Sequence, residues 1–330
     1  MVDLMDLKTG EPLLRLHNFH PDRQWLVEAA DGTFECSDDL FAIEGSRFES
    51  MKMRRDPQSI RNICHRISGL NVVRDVVPEQ AGSGQRLFVL TIGVSEHKYP
   101  EYNLRYAARD AERLAEELKL NQNGLFKDVF VQIYTNEDAN QKNIQDGLDW
   151  LQRSCTKEDV AVVLFSGHGV RGRNGLYFVP FEGDDQGIQS TCLNWTSVAD
   201  RVARTNAAQI LFFADCCHAG AFSKETRPTQ DEIAQAFARK QDLFFFCSSQ
   251  GDEVSIETED LEHGAFTAAV IDAWSGAADA DNDQFVTCNE LATYVRTRVR
   301  DQTGDRQTPY VPYPDLYKPQ FRIHGSNIAK

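Results

Sequence analysis

From residue 87 onward, short apolar runs alternate with segments of helical periodicity. Residues 87–94 form a continuous apolar run typical of a buried strand, whereas residues 104–120 repeat apolar positions every three or four residues, which predicts an amphipathic helix. Other continuous apolar runs predict strands at 129–134, 160–165, 210–214 and 243–247. Other segments of helical periodicity predict helices at 141–153, 196–204, 231–239, 265–274 and 289–301. Continuous apolar strands separated by helices predict an α/β fold: a mostly parallel central sheet with helices on both faces.

The first 80 residues follow a different pattern. Short strand-like runs at 24–28 and 33–36 flank an Ala-Asp-Gly turn and predict a hairpin, and the basic stretch 51–66 predicts a helix. Residues 81–84, Ala-Gly-Ser-Gly, have the composition of a flexible linker. The expected organisation is a small N-terminal β-containing segment at 1–80, a linker at 81–85 and a larger domain at 86–324.

Composition narrows the class of protein. The chain has 330 residues and a formal charge of −15, a field that repels phosphate backbones, so we expect no nucleic-acid partner. It contains no apolar run of 18 residues and its N-terminus does not resemble a signal peptide, so we expect no membrane partner. The eight cysteines are irregularly spaced and several lie in apolar runs, which indicates buried thiols in a reducing compartment. A cytoplasmic monomer is the expectation.

Two of the apolar runs lead into reactive side chains. The run 160–165 continues as Ser166-Gly167-His168-Gly169, and the run 210–214 continues as Asp215-Cys216-Cys217-His218, with His168 and Cys217 49 positions apart. Because open parallel sheets place their sites beyond the carboxyl ends of the strands, this histidine and cysteine should lie close together. An imidazole beside a thiol is the usual way to generate a thiolate nucleophile, so the pattern predicts a cysteine peptidase.

These segments resemble the histidine and cysteine motifs of caspase-like peptidases, and are nearer to metacaspases and other prokaryotic caspase homologues than to animal caspases. Residues 92–94 with 104–111 resemble the family's first strand and helix, and residues 263–267 resemble the start of a late helix. The sequence departs from common patterns at Asp215, where the animal pentapeptide has glutamine, and at Ala219, where a serine is common. The resemblance implies a caspase-like three-layer sandwich over about residues 86–324.

The resemblance also implies catalytic roles. Cys217 would be the nucleophile, His168 the general base and acid, and the backbone N–H groups of Gly169 and Cys217 the oxyanion hole. Cys216 is the rival nucleophile. Because adjacent strand residues point to opposite faces, only one of the two cysteines can meet His168, and the family pattern selects Cys217.

Specificity follows from the same resemblance. In metacaspase-like proteins the primary pocket is lined at positions that correspond here to Asp110, Ser166 and Asp215. Two carboxylates in a narrow pocket pair well with a guanidinium, so the expected substrates are proteins or peptides cleaved after Arg, then Lys. The alternative interpretation of Asp110 is an ordinary acidic residue on a helix surface.

No metal or cofactor is expected. Residues 279–290 carry acidic residues at the positions of a calcium loop, but Gln284 stands where that loop requires glycine. Thr287 and Glu290 also form a capping box for the last helix, which favours a structural turn. The Cys-Cys-His run at 216–218 is a weak zinc candidate, since three consecutive residues do not easily converge on one metal.

The predicted function is a cysteine endopeptidase that works through a Cys-His dyad and an acyl-enzyme. Family analogy suggests bacterial stress, cell-death or defence signalling, with activation by cleavage in 221–240, by the enzyme itself or by an upstream peptidase. The alternative is a caspase-like signalling or interaction module with vestigial activity. The presence of His168, Cys217, Asp215 and Ser166 together argues against that alternative.

Overall fold

The computed structural model describes residues 85–120, 125–218, 230–238, 242–250, 253, 255–258, 263–312, 318 and 321–325, and the backbone of five N-terminal strands. Within these ranges, residues 217–218, 230–231 and 257–258 are described as backbone only. The chain divides into two compact units, Met1–Pro78 and Glu79–Lys330, and each is described by itself.

The N-terminal unit contains a five-stranded sheet among its described residues. Its strands lie in sequence order: β1 (Val2–Met5), β2 (Pro12–Phe19), β3 (Gln24–Ala29), β4 (Thr33–Cys36) and β5 (Arg54–Arg55). Strands β3 and β4 pair antiparallel where the sequence predicts a hairpin. Arg54 and Arg55 form a strand paired with β4, where the sequence predicts a helix. The rest of 51–66 and linker residues 81–84 lie outside the described residues.

The larger unit alternates strands and helices. Its strands are β6 (Arg86–Gly93), β7 (Asp128–Thr135), β8 (Val160–Gly172), β9 (Gly175–Val179), β10 (Leu193–Asn194), β11 (Gln209–His218), β12 (Leu243–Cys247), β13 (Glu257–Thr258), β14 (His263–Gly264), β15 (Phe285–Thr287) and β16 (Arg322–Gly325). Its helices are α1 (Ala107–Lys119), α2 (Gln141–Ser154), α3 (Ile188–Thr191), α4 (Trp195–Arg204), α5 (Gln230–Phe237), α6 (Ala265–Asp272, continued by a π-helical stretch at Ala273–Ala277) and α7 (Cys288–Thr303). Short 3₁₀ turns lie at Pro100–Tyr102, Asn136–Asp138 and Asp185–Gly187.

Strands β6 to β12 form the central sheet of the described chain. Its parallel part has the order β7-β6-β8-β11-β12. Strand β9 pairs antiparallel with the distal half of β8, and β10 pairs antiparallel with β9. The inner parallel strands are apolar because both of their faces are covered, whereas the edge strand β7 leaves Phe130 and Ile133 exposed. The structure therefore confirms the expected mostly parallel sheet with helices on both faces.

Side chains of alternate residues in the strands enter two separate apolar layers. On one face, Leu211 and Phe213 of β11 pack with residues of α1, α6 and α7. On the other face, Phe212 and Ala214 pack with residues of α2, α4 and α5. The period of two in a strand thus divides one apolar run between two cores, which gives the three layers of the sandwich.

Polar side chains fix where several helices begin. Asn140 caps α2 by accepting the Asn143 N–H, and Asn194 caps α4 by accepting the N–H groups of Thr196 and Ser197. Thr287 and Glu290 form the reciprocal capping box of α7, as the sequence predicts.

Two strands are longer than the sequence predicts. β8 continues through the histidine motif to Gly172, and β11 continues through the cysteine motif to His218. The reason is tertiary, because the extended part of β8 pairs with β9 on one side and with β11 on the other. The two motifs therefore lie inside paired strands rather than in loops beyond them.

No helix in the described part of the chain has both the length and the apolar character needed to cross a bilayer. The cysteines whose side chains are described are buried thiols, namely Cys155, Cys192, Cys216, Cys247 and Cys288.

Candidate active site

The register of β8 and β11 brings the two sequence motifs together. Cys217 pairs with His168, Asp215 with Ser166, and His218 with Gly169. Neighbouring strands lie about 4.8 Å apart, so the backbone of Cys217 is one strand spacing from that of His168. The thiol of Cys217 lies outside the described side chains.

The imidazole of His168 is oriented by a backbone carbonyl. The ring is buried, with 2% of the residue exposed, and its Nε2 lies 2.7 Å from the carbonyl oxygen of Tyr102. A carbonyl only accepts hydrogen bonds, so the neutral ring must carry its proton on Nε2. Nδ1 is then the basic nitrogen, and a base in this orientation can take a proton from a neighbouring thiol.

Cys216 lies in the apolar layer between the sheet and helices α2, α4 and α5. Its residue is 3% exposed and packs in the same cluster as Phe212 and Ala214. Burial, and next the charge of Asp215, raise the pKa of the Cys216 thiol well above its usual value. A thiol held neutral in an apolar layer is a poor nucleophile.

Asp215 is a buried carboxylate beside the candidate dyad. Its Oδ1 accepts the Ser255 hydroxyl at 2.6 Å, and its Oδ2 accepts the Thr267 hydroxyl at 3.0 Å. Burial raises the pKa of Asp215, and these hydroxyl bonds act in the opposite direction. The hydroxyls fix the carboxylate in place without neutralising it.

Asp110 is not a surface acid, because only 2% of the residue is exposed. Its Oδ1 lies 2.8 Å from Nδ1 of His263, and both of its oxygens lie 3.3 Å from the Gly264 backbone nitrogen, which donates to them. The pKa of Asp110 is raised to about 7, mainly by burial. The hydrogen bond to His263 opposes this shift and the nearby charge of Asp215 adds to it.

A single glycine separates the two carboxylates. A methyl group built on Gly264 would lie 3.1 Å from Oδ2 of Asp110 and 3.2 Å from Oδ2 of Asp215, so both oxygens face the same small space. Ser166 is buried and in register with Asp215. The structure therefore groups Asp110, Asp215 and Ser166 at the same end of the sheet as His168.

Residues 86–320, most of the chain, match the family model of the caspase domain. This chain belongs to the caspase domain family. Family membership confirms the resemblance that the two motifs indicate, and it supports a cysteine-peptidase type of function.

Two solved structures resemble this caspase-domain protein. Protein GSU0716 from Geobacter sulfurreducens aligns with a TM-score of 0.51 and 15% identity, over 72% of this chain and 99% of that one. The Drosophila initiator caspase Dronc aligns with a TM-score of 0.42 and 12% identity, over 71% of this chain and 84% of that one. The first likeness shows a shared fold. No curated protein sequence matches the chain.

The roles of several residues in the caspase-domain site could not be predicted from the sequence. The Tyr102 carbonyl, Ser255 and Thr267 contact His168 or Asp215 only through the tertiary fold. His263 is visible in the sequence only as part of the segment before α6. Its contact with Asp110 joins residues more than 150 positions apart.

The acidic loop before β15 is a tight turn. Oxygens of Asp279, Asp281 and Asp283 lie within 4.8 Å of one another, and these carboxylates accept backbone N–H groups of the loop, including that of Gln284. Gln284 adopts φ 71°, the conformation for which the calcium loop uses glycine. Glu290 accepts the Ala280 N–H as well as completing the capping box.

Proposed function

We propose that this chain is a cysteine endopeptidase that cleaves proteins and peptides after Arg and, less readily, after Lys. Cys217 is the nucleophile, and His168 is the general base and acid. The observation that carries the proposal is the register of Cys217 with His168, whose Nδ1 is made the basic nitrogen by the Tyr102 carbonyl. The test is hydrolysis of fluorogenic peptides that differ only at the residue before the cleaved bond.

In the proposed reaction, Nδ1 of His168 takes the proton of the Cys217 thiol, and the thiolate attacks the carbonyl carbon of the substrate. The backbone N–H groups of Gly169 and Cys217 stabilise the negative oxygen of the tetrahedral intermediate. The C–N bond then breaks, the amine leaves with the proton from Nδ1, and a thioester remains. Water, deprotonated by the same nitrogen, attacks the thioester and releases the carboxylate product and the thiol.

The acidic pocket supports specificity for a cation. Asp110 and Asp215 are both almost fully buried and face the same space beside Gly264. Two carboxylates this close in a poorly hydrated space repel each other, and a planar guanidinium can hydrogen-bond to both. The ammonium of Lys is a compact point charge with fewer donors, so we expect Arg to be preferred.

The preference for Arg should depend on pH. The pKa of Asp110 is raised to about 7, mainly by burial, so its carboxyl is charged above that pH and neutral below it. The ratio of kcat/KM for an arginyl peptide to that for its uncharged citrulline analogue should therefore fall between about pH 8 and about pH 6. Titration of the Cys217–His168 dyad affects both substrates equally and cancels in the ratio, so the ratio reports the charge of the substrate-binding carboxylates.

Asp110→Asn is the matched control for this pH dependence. Without a titrating group at residue 110, the ratio should be low, and any pH dependence that remains is that of Asp215, whose pKa burial also raises. A wild-type ratio that stays high and constant through neutral pH would show that Asp110 does not control Arg binding.

We also propose that cleavage in 221–240 activates the enzyme. Helix α5 lies within this segment, with Ile233 and Phe237 buried against the sheet, whereas residues 221–229 and 239–240 lie outside the described residues. The basic residues available for cutting on either side of α5 are Lys224, Arg227, Arg239 and Lys240. Arg227 precedes proline and is a poor site.

Replacing these four basic residues together should leave the chain intact and weakly active. The recognition site of a second peptidase is inserted into the segment of this variant. Gel mobility then shows whether the chain is cut, and turnover of an arginyl peptide shows its activity, before and after the second peptidase is added. Cleavage at the inserted site should restore activity. Full activity in the intact quadruple variant would contradict the proposed activation.

The biological setting is proposed from family analogy. We propose a monomer that acts in the cytoplasm on protein substrates with basic residues, in stress, cell-death or defence signalling, with an upstream peptidase as an activating partner. The formal charge of −15 is compatible with attraction of basic substrate segments.

A further inference from the structure

A second histidine lies beside His168 with its ring nearly parallel to the imidazole of His168. The ring centroids of His97 and His168 are 5.4 Å apart and the two planes differ by 20°. Both residues are buried, at 5% and 2% exposed. The imidazole of His168 therefore has its Nε2 edge on the Tyr102 carbonyl and one face on His97.

The loop that supplies both contacts is fixed by hydrogen bonds along its length. It joins β6 to α1 and comprises residues 94–106. The Asn103 side chain accepts the His97 N–H at 2.8 Å, and the Phe181 carbonyl accepts the Lys98 N–H at 2.9 Å. Asn136 Oδ1 accepts the Ser95 and Glu96 N–H groups, each at 3.0 Å, at the start of the loop. The Leu104 N–H donates to the Ser95 carbonyl at 2.8 Å and so joins the two ends of the loop.

The ring of His97 also meets Tyr102 edge to face, with centroids 6.3 Å apart and planes at 88°. Tyr102, which supplies the carbonyl, and His97, which supplies the stacking face, are therefore also packed against each other. A hydrogen bond to Nε2 fixes the ring in its own plane, whereas a stacked neighbour restricts its tilt. Together the two contacts fix the direction in which Nδ1 points.

His97 is suited to sit beside a base that becomes charged. Burial lowers the pKa of His97 to about 3, and the neighbouring His168 acts in the same direction. His97 is therefore neutral at the pH where a peptidase works. It presents an aromatic face, rather than a second positive charge, to the imidazolium that forms at His168, and cations are attracted to such faces.

We propose that His97 is a positioning residue, which holds the imidazole of His168 in the orientation set by the Tyr102 carbonyl and supports its charged form during acyl transfer. This inference rests on the proposed function, because it assigns His97 a part in the reaction of His168. None of the described contacts of His97 involves Asp110 or Asp215. Replacing His97 should therefore change kcat rather than the choice of substrate.

The test compares His97→Leu with His97→Phe. Both replacements are apolar side chains that fill the space of the His97 imidazole, but only phenylalanine supplies a flat aromatic face. His97→Leu should lower kcat for an arginyl peptide by about 10- to 100-fold with little change in KM, because small misplacements of a catalytic group have effects of this size. His97→Phe should stay within about 3-fold of the wild type.

A second readout separates positioning from a general loss of stability. The rate of alkylation of the active-site thiol, followed against pH, reports the formation of the thiolate beside an imidazolium. Its midpoint should move to higher pH in His97→Leu and stay in place in His97→Phe. Trp150→Ala, which removes a ring packed on Phe88 at the far end of β6, is the control and should leave both midpoint and kcat unchanged.

The outcomes distinguish the two proposals. If the wild type does not cleave arginyl peptides, the proposed specificity fails, and the alkylation profile of His97→Leu still tests the stacking. If the wild type is active and His97→Leu keeps both its kcat and its alkylation midpoint, the inference is overturned. It is also overturned if His97→Leu and His97→Phe lose activity equally, since a flat face would then not be what His97 provides.

Discussion

Cys217→Ala should lose peptidase activity by at least about 10⁴-fold while its melting temperature stays close to that of the wild type. The reason is chemical: without the thiol no thioester can form, and the residue that replaces it is small. Turnover of an arginyl fluorogenic peptide, with circular dichroism to follow unfolding, measures both expectations.

Cys216→Ala is the matched control, because it removes the neighbouring thiol. That thiol is buried in an apolar layer and its pKa is raised well above the usual value, so most activity should remain. The buried sulfur is lost, so a slightly lower melting temperature is expected. An inactive Cys216 variant beside an active Cys217 variant would show that the nucleophile is assigned to the wrong cysteine.

Asp110→Ala and Asp215→Ala should each lower kcat/KM for arginyl peptides by about 30-fold or more. Truncating one partner of a desolvated, hydrogen-bonded charge pair commonly costs about 2 kcal/mol or more, and about 2 kcal/mol corresponds to a factor of about 30. The citrulline analogue should change far less, so the ratio of the two substrates is the quantity to compare between variants.

Asp159→Ala provides the control for loss of a buried carboxylate. Asp159 is 2% exposed and pairs with Arg86 at 2.6 Å, at the opposite end of the sheet from the pocket. This variant should be less stable but should keep the wild-type preference for Arg. An unchanged ratio in both pocket variants would contradict the acidic pocket.

The fold could be predicted from the sequence because its strands are long and apolar. The strand predicted at 243–247 has the observed bounds of β12, and the helix predicted at 141–153 differs from α2 by one residue. The extension of β8 could not be predicted, because Ser166, Gly167 and His168 interrupt the apolar run. Their strand conformation depends on pairing with β9 and β11, which is a tertiary effect.

For the site, the sequence supplies the motif residues but not what orients them. A backbone carbonyl such as that of Tyr102 leaves no signature in the sequence, and the stacking of His97 depends on the path of a loop. The burial of Asp110 did leave a signal. It lies three positions after Ala107 and four before Leu114, on the apolar face of α1, where a surface acid is not expected.

Labelling of the intact protein with peptidyl electrophiles tests whether Cys217 is the nucleophile of an arginine-directed peptidase. Three probes that differ only in the recognised residue, Arg, citrulline or Asp, are compared by the rate of thiol modification and by mass-spectrometric mapping. Rapid modification of Cys217 by the Arg probe, with slow modification by the other two, is the expected result. Equal reactivity of the three probes would contradict the acidic pocket. Absence of labelling at Cys217 with every probe, in the chain cut within 221–240 as well as in the intact chain, would contradict a cysteine peptidase and favour an interaction module.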